Sequence, residues 1–191
     1  LIGSLVAVIL GATRVRPDVT EVWTLTRPIA RSTFTVGRFL GVVTSLALVV
    51  ASLALAWVAA AALYGIAPGP TLAWWALLLF FELSLVAGWA ALLAHLFEPI
   101  PAGLLAAALW ATGHQADATL RLAEEGGIPA FLPTAIFTVV PDLDLFDVQQ
   151  QLVHDVAVTP AQVGGVTAYG LAWMTALLAL TMLVLSRKDL P

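Results

Sequence analysis

Residues 39–64 form an apolar run of 26 residues, FLGVVTSLALVVASLALAWVAAAALY, without a single charged side chain. A helix needs about 20 apolar residues to cross the hydrocarbon core of a bilayer. The strict alternation that is typical of transmembrane barrel strands is absent. The run therefore predicts a membrane-spanning helix.

The composition of the whole chain agrees with a membrane protein. Of the 191 residues, 61% are hydrophobic and 10% are charged, whereas a soluble domain carries about 25% charged residues. A net charge of −4 offers no basic surface to nucleic acid. The chain has no cysteine, which excludes a disulfide scaffold and a thiolate zinc site.

Five stretches are predicted to be spans of one all-α, polytopic transmembrane domain, residues 1–191. They are about 1–13, 39–64, 72–97, 100–116 and 164–186. The chain opens inside an apolar run without a methionine, so we interpret 1–13 as the end of a truncated span and expect six spans in the full protein. The stretch 100–116 is short and would cross only with local thinning of the bilayer.

The placement of lysine and arginine predicts the orientation. Five arginines lie in the segment 14–38, and Arg187 and Lys188 follow the last span. Both clusters fall on one side when the spans alternate, and the positive-inside rule makes that side cytoplasmic in a multi-pass protein of the cell membrane. The loop 117–163 then faces outward. We expect it to form short helices resting on the outer interface, burying six apolar residues: Phe131, Ile136, Phe137, Leu143, Leu145 and Phe146.

The inner segment EVWTLTRPIARSTFTVGRFLG has its own helical pattern. Pro28 suits the first turn of a helix, because its missing N–H would be unpaired there. Ile29, Thr33 and Val36 fall on one stripe, and Gly37 is expected to break the helix before the next span. The pattern predicts a short helix along the inner membrane surface. The arginines alone also fit a simple orienting anchor.

Four phrases of the chain resemble the ABC-2 type permeases, the membrane subunits of ABC transporters that include exporters and the NosY-like proteins. TLTRPIAR followed by VGRFLG is similar to the family's phrase after its second span, with Gly41 as its last glycine. PDLDLFD at 141–147 resembles the phrase before the family's last span, and RKDL at 187–190 resembles its basic exit motif. The run from Glu21 to Arg27 is shorter than the family pattern.

The resemblance implies a function in ATP-coupled transport of an unidentified substrate. The inner segment would dock on a separate cytoplasmic ATPase subunit, which binds ATP and Mg, and a second permease copy or paralogue would complete the pathway. The coupling residues would be Glu21, Arg27, Pro28, Arg31, Gly37 and Arg38. The chain has no phosphate-binding loop, so we expect no enzymatic activity and no cofactor of its own.

Glu82 is the one acid inside the predicted span 72–97, about 15 Å from the start of that span. A carboxylate at this depth costs about 2.5–3.5 kcal/mol on insertion scales, so it faces protein or water, or it is protonated. We interpret it either as a residue of a transport pathway or gate, or as one side of a helix–helix hydrogen bond to Thr44 or Ser45.

One other polar pair and two other classes of protein remain to be considered. His95 and Glu98 lie one turn apart, but zinc needs three or four ligands, so we predict hydrogen bonding and no metal site. A channel or assembly subunit without energy coupling fits the hydropathy as well. An intramembrane enzyme is the other alternative, although the chain has neither G-x-S-x-G nor H-E-x-x-H.

Overall fold

The structure is a computed structural model that describes residues 31–67, 69–126, 129, 131–148 and 158–187. Within these ranges the regular structure is entirely helical. The helices are α1 (Arg31–Leu63), α2 (Thr71–Leu96), α3 (Pro99–Gly113), α4 (Ala116–Glu124), α5 (Phe131–Val139), a 3-10 turn (Asp144–Phe146) and α6 (Pro160–Ser186).

Three of these helices are long and apolar enough to cross a membrane: α1, α2 and α6. They coincide with the predicted spans 39–64, 72–97 and 164–186. The described part of the chain is therefore all-helical, and its three long apolar helices are those of a membrane protein by length and composition. The predicted span 1–13 lies outside the described residues.

The helix α3 is shorter than the predicted span 100–116, because it ends at Gly113 after 15 residues. Its length is about 22 Å, compared with the roughly 30 Å of a hydrocarbon core. Pro99 occupies the first turn of α3, where a missing N–H costs nothing, so the proline-rich turn after α2 lies where the sequence predicts it.

The expected break at Gly37 is wrong, because α1 continues through this residue without interruption. An isolated glycine in a helix costs only about 1 kcal/mol relative to alanine, and the apolar run that follows favours continued helix. The 33 residues of α1 span about 50 Å, which exceeds the hydrocarbon thickness by several turns. The basic residues at the start of α1 and the predicted span thus form one continuous helix.

The helix ends follow from local sequence. After α1, Gly65 has a φ of 68°, and the N–H of Ile66 donates to the carbonyl oxygen of Ala61 at 2.9 Å. Gly65 ends the helix in the left-handed conformation, which costs conformational free energy for residues with a Cβ but not for glycine. At the start of α6, Thr159 and Gln162 form a reciprocal capping box.

The helix α2 lies at the centre of the bundle. It packs against α6, α3 and α1, and α1 also contacts α6. Two-thirds of its most apolar window is buried, compared with 17% for α1 and for α6. Between α2 and α3 the buried residues are mostly small, including Ala90, Ala102 and Ala106, which allows the two helices to approach closely.

The loop 117–163 contains the short helices that the sequence predicts, but part of it does not rest on the outer helix ends. A Cβ added at Gly170 of α6 would lie 3.1 Å from the ring of Phe81 and 3.2 Å from that of Phe146. Phe81 and Gly170 each lie ten residues, or about 15 Å, past the first residue of α2 and of α6. The chain around Phe146 therefore dips halfway into the bundle.

We refer to residues 140–148 as the inserted segment. Of the six apolar residues expected to bury, Leu143 and Phe146 are each 2% exposed, whereas Phe131 and Leu145 of the same loop are 68% and 46% exposed. Ile136 and Phe137 are partly buried. The segment fills the space above the short helix α3, where irregular backbone is tolerated because protein surrounds it.

Candidate functional site

The candidate site is a polar cluster around Glu82 at half the height of the bundle. Glu82 lies 14 residues before the end of α2, and Gly113 lies 14 residues after the start of α3. Both are therefore about 21 Å from the turn that joins the two antiparallel helices. The last turn of α3 brings Trp110 and His114 to the level of Glu82.

Two side chains meet the same carboxylate oxygen. Trp110 donates its Nε1–H to Oε1 of Glu82 at 3.1 Å, and Nε2 of His114 lies 3.5 Å from that oxygen. Glu82 is 8% exposed, so protein replaces water around the carboxyl group. We call Glu82, Trp110 and His114 the mid-height cluster.

The histidine ring is oriented from its other side as well. Nδ1 of His114 lies 3.2 Å from the carbonyl oxygen of Trp110, one turn earlier on the same helix. The rings of Trp110 and His114 are 4.9 Å apart between centroids. The end of α3 thus holds both partners of Glu82 in one fixed arrangement.

The expectation of a helix–helix hydrogen bond at Glu82 is confirmed, but the expected partners are wrong. Ser45 donates instead to the carbonyl oxygen of Gly41 in its own helix at 2.9 Å, and Thr44 is exposed. The sequence contains the missing signal. Trp110 and His114 are four residues apart and fall at the height of Glu82 when residues are counted from the proline-rich turn.

The inserted segment closes the site from above. The N–H of Leu143 donates to the carbonyl oxygen of Gly113 at 3.1 Å, at the end of α3. The N–H of Asp142 donates to the hydroxyl oxygen of Tyr169 at 3.0 Å, and the carboxylate of Asp142 accepts from the N–H of Asp144. These hydrogen bonds satisfy backbone groups that have no partner within a helix or sheet.

Replacing Tyr169 with phenylalanine should destabilise the protein by about 1–3 kcal/mol, because the N–H of Asp142 would lose its acceptor in a partly buried position. Tyr64 is the matched control: it is the other tyrosine of the chain, and its side chain is 81% exposed. Equilibrium unfolding of the purified protein in mixed micelles measures the difference. Equal stability of Tyr169→Phe and Tyr64→Phe would contradict the assigned hydrogen bond.

A cavity of about 450 Å³ lies between the inserted segment and the start of α6. Its walls are mainly apolar, with the carboxylates of Asp144 and Asp147 and the hydroxyl of Tyr169 among its lining residues. Leu78 of α2 forms its inner wall. The cavity adjoins the side of the inserted segment that carries the two acids.

Of the six predicted coupling residues, three lie within the part of the chain that the structure describes: Arg31, Gly37 and Arg38. Glu21, Arg27 and Pro28 are outside the described residues, and Arg31 is the first residue of α1. Gly37 and Arg38 follow in the first turns of α1, where Gly37 is exposed and Arg38 is partly exposed.

No group of three metal-ligating side chains occurs among the residues that the structure describes. His95 directs Nδ1 to the carbonyl oxygen of Ala91 at 2.7 Å. Glu98 precedes α3 as its N-cap residue. Both residues therefore belong to the helix ends on either side of the turn between α2 and α3.

Fold and site together define a helical chain with three helices that could span a membrane and a buried carboxyl group in α2 that meets the end of the half-length helix α3. No family model, curated protein or solved structure matches the chain. The resemblance to ABC-2 type permeases consequently depends on the four sequence phrases alone.

Proposed function

We propose that the chain is the membrane-spanning subunit of an ABC transporter of the ABC-2 type. It would move its substrate with energy from ATP that a separate cytoplasmic subunit hydrolyses. The observation that carries the proposal is the continuity of α1 from Arg31 to Leu63. A helix that begins in the basic segment and spans the membrane can pass a movement at one end to the other.

The packing of α1 supports this mechanical role. Its first turn precedes the apolar window that begins at Thr35, and the helix contacts both α2 and α6. A displacement of the basic segment 31–38 would therefore act on the two other long helices directly. No flexible joint separates that segment from the span, because Gly37 is helical.

The proposal places the basic segments 14–38 and 187–188 on the cytoplasmic side of the cell membrane. Glu82 would belong to the pathway or gate, since it lies where the short helix α3 meets the inserted segment. The largely exposed apolar surfaces of α1 and α6 would contact lipid and a second permease copy or paralogue.

Affinity purification of the full-length protein from its native membrane tests the proposal. In mild detergent, we expect a cytoplasmic ATPase subunit to be recovered in stoichiometric amount and identified by mass spectrometry. A monodisperse preparation without such a subunit would contradict the proposal and favour an uncoupled channel or an intramembrane enzyme.

A further inference from the structure

We propose that Glu82 and His114 form a buried proton-binding site that holds one proton between Oε1 of Glu82 and Nε2 of His114 at neutral pH. The inference uses the geometry of the mid-height cluster. It does not depend on the proposed transport function, and it would stand if the chain were a channel subunit.

The first argument is the hydrogen-bond count around the histidine ring. Nδ1 faces the carbonyl oxygen of Trp110, which can only accept, so Nδ1 carries a hydrogen. Nε2 faces Oε1 of Glu82, which is an acceptor when the carboxyl group is ionised. One proton on the pair, either on an imidazolium or on a carboxylic acid, makes this contact attractive. Without it, two acceptors face each other at 3.5 Å.

The second argument is the cost of net charge at this position. Glu82 is 8% exposed at half height in a helix that can span the membrane. An unpaired charge is expensive there, whereas a cluster with one proton is neutral overall in both of its forms. A second proton would give a net positive cluster, and loss of the proton would give a net negative one. Both changes are unfavourable.

Other ionisable groups around Glu82 do not replace His114 as the partner. On the inserted segment, Asp147 interacts electrostatically with Glu82, and Asp142 and Asp144 lie on the same segment. On α6, the hydroxyl of Tyr169 accepts from the N–H of Asp142. Of the other ionisable residues of α1 and α2, Arg31 and Arg38 belong to the first turns of α1, and His95 belongs to the last turn of α2.

The proton stabilises the contact between α2 and the end of α3. His114 is the C-cap residue of α3, and the preceding Gly113 accepts a hydrogen bond from the inserted segment. Gain or loss of the proton therefore changes the contact between α2 and the end of α3. The site makes this contact responsive to pH.

The test compares the pH dependence of folding in the wild type and in Glu82→Gln. In an unfolded chain glutamate titrates near pH 4.3 and histidine near pH 6.5, at about their reference values. Above pH 6.5 the folded wild type retains a proton that the unfolded chain has lost. Its folding equilibrium constant should then fall by about tenfold per pH unit until the cluster releases the proton.

Glu82→Gln should lose this alkaline decline, because the glutamine amide can donate to a neutral Nε2 and no proton is needed. The profile of this variant should instead fall below pH 6.5, where the unfolded histidine gains a proton that the folded one lacks. Equilibrium unfolding in mixed micelles between pH 4 and pH 9 gives the constants. The exposed Glu124 of α4 supplies the matched control, and Glu124→Gln should keep the wild-type profile.

A further variant keeps the test decisive if Glu82→Gln does not fold. Trp110→Phe removes the indole donor but leaves the histidine and the carboxyl group, so it should be less stable and still decline above pH 6.5. Parallel profiles for wild type and Glu82→Gln would overturn the proposal. So would a Trp110→Phe profile without the alkaline decline.

Discussion

Arg31→Glu is expected to reduce recovery of the cytoplasmic ATPase subunit by at least about tenfold. The resemblance assigns this arginine to the docking segment, and a hydrogen bond to a charged group contributes about 1.5–3 kcal/mol, where 1.4 kcal/mol corresponds to a factor of ten. Reversing the charge adds repulsion to that loss. Quantitative mass spectrometry of the purified complex measures the ratio of the two subunits.

The matched control is Arg121→Glu, which makes the same chemical change on the exposed surface of α4. It should leave the subunit ratio unchanged, since its loop lies on the opposite side in the proposed orientation. Insertion can be checked separately because the chain has no cysteine. A single cysteine at the exposed Ile66 should react with an impermeant maleimide from outside in the wild-type and Arg31→Glu backgrounds alike. Equal recovery of the ATPase from all variants would contradict the coupling role of Arg31.

Gly113→Ala should destabilise the protein by about 1–3 kcal/mol, the usual range for overpacking. A Cβ at this position would lie 2.7 Å from Cγ of Leu143 and 2.9 Å from the carbonyl oxygen of Pro141. One of these neighbours is backbone, so the inserted segment itself must move. The loss should exceed the roughly 0.5–1 kcal/mol that alanine gains over glycine within a helix.

Gly164→Ala in α6 provides the comparison for Gly113→Ala. Nothing lies within 4 Å of its added Cβ, and the residue is exposed. It should be neutral or up to about 1 kcal/mol more stable, because only the helix propensity changes. Unfolding in mixed micelles reports both variants. If Gly113→Ala is as stable as Gly164→Ala, the inserted segment does not contact the end of α3 as described.

The long helices could be predicted from the sequence because hydropathy and length act locally. The run 39–64 has to be helical in a bilayer, since only a helix satisfies its backbone groups internally. The boundaries at Pro99 and Pro160 also follow from local signals, namely proline in a first turn. The helix through Gly37 departs from the prediction because the long apolar helix that follows overrides the modest helix-breaking preference of a single glycine.

The inserted segment could not be predicted, because its position depends on contacts between distant parts of the chain. The apolar residues of PDLDLFD predict contact with the outer interface, whereas Phe146 lies deeper, beside Phe81 and Gly170. The sequence predicts only one part of the mid-height cluster. The cost of a buried carboxylate indicates that Glu82 needs a partner, but only the end of α3 at equal height identifies Trp110 and His114.

The central position of α2 has a consequence for how the protein is made. During synthesis α3 follows α2 after two residues, so the tryptophan and histidine that Glu82 needs arrive with little delay. The end of α6 follows Leu96 by 90 residues, which corresponds to roughly 5–20 s at ribosomal speed. For that interval the apolar face awaiting α6 can be covered by lipid at little cost, whereas an unpartnered carboxyl group could not. The order of the helices along the chain thus supplies first the partner whose absence costs most, and last the partner that lipid can replace.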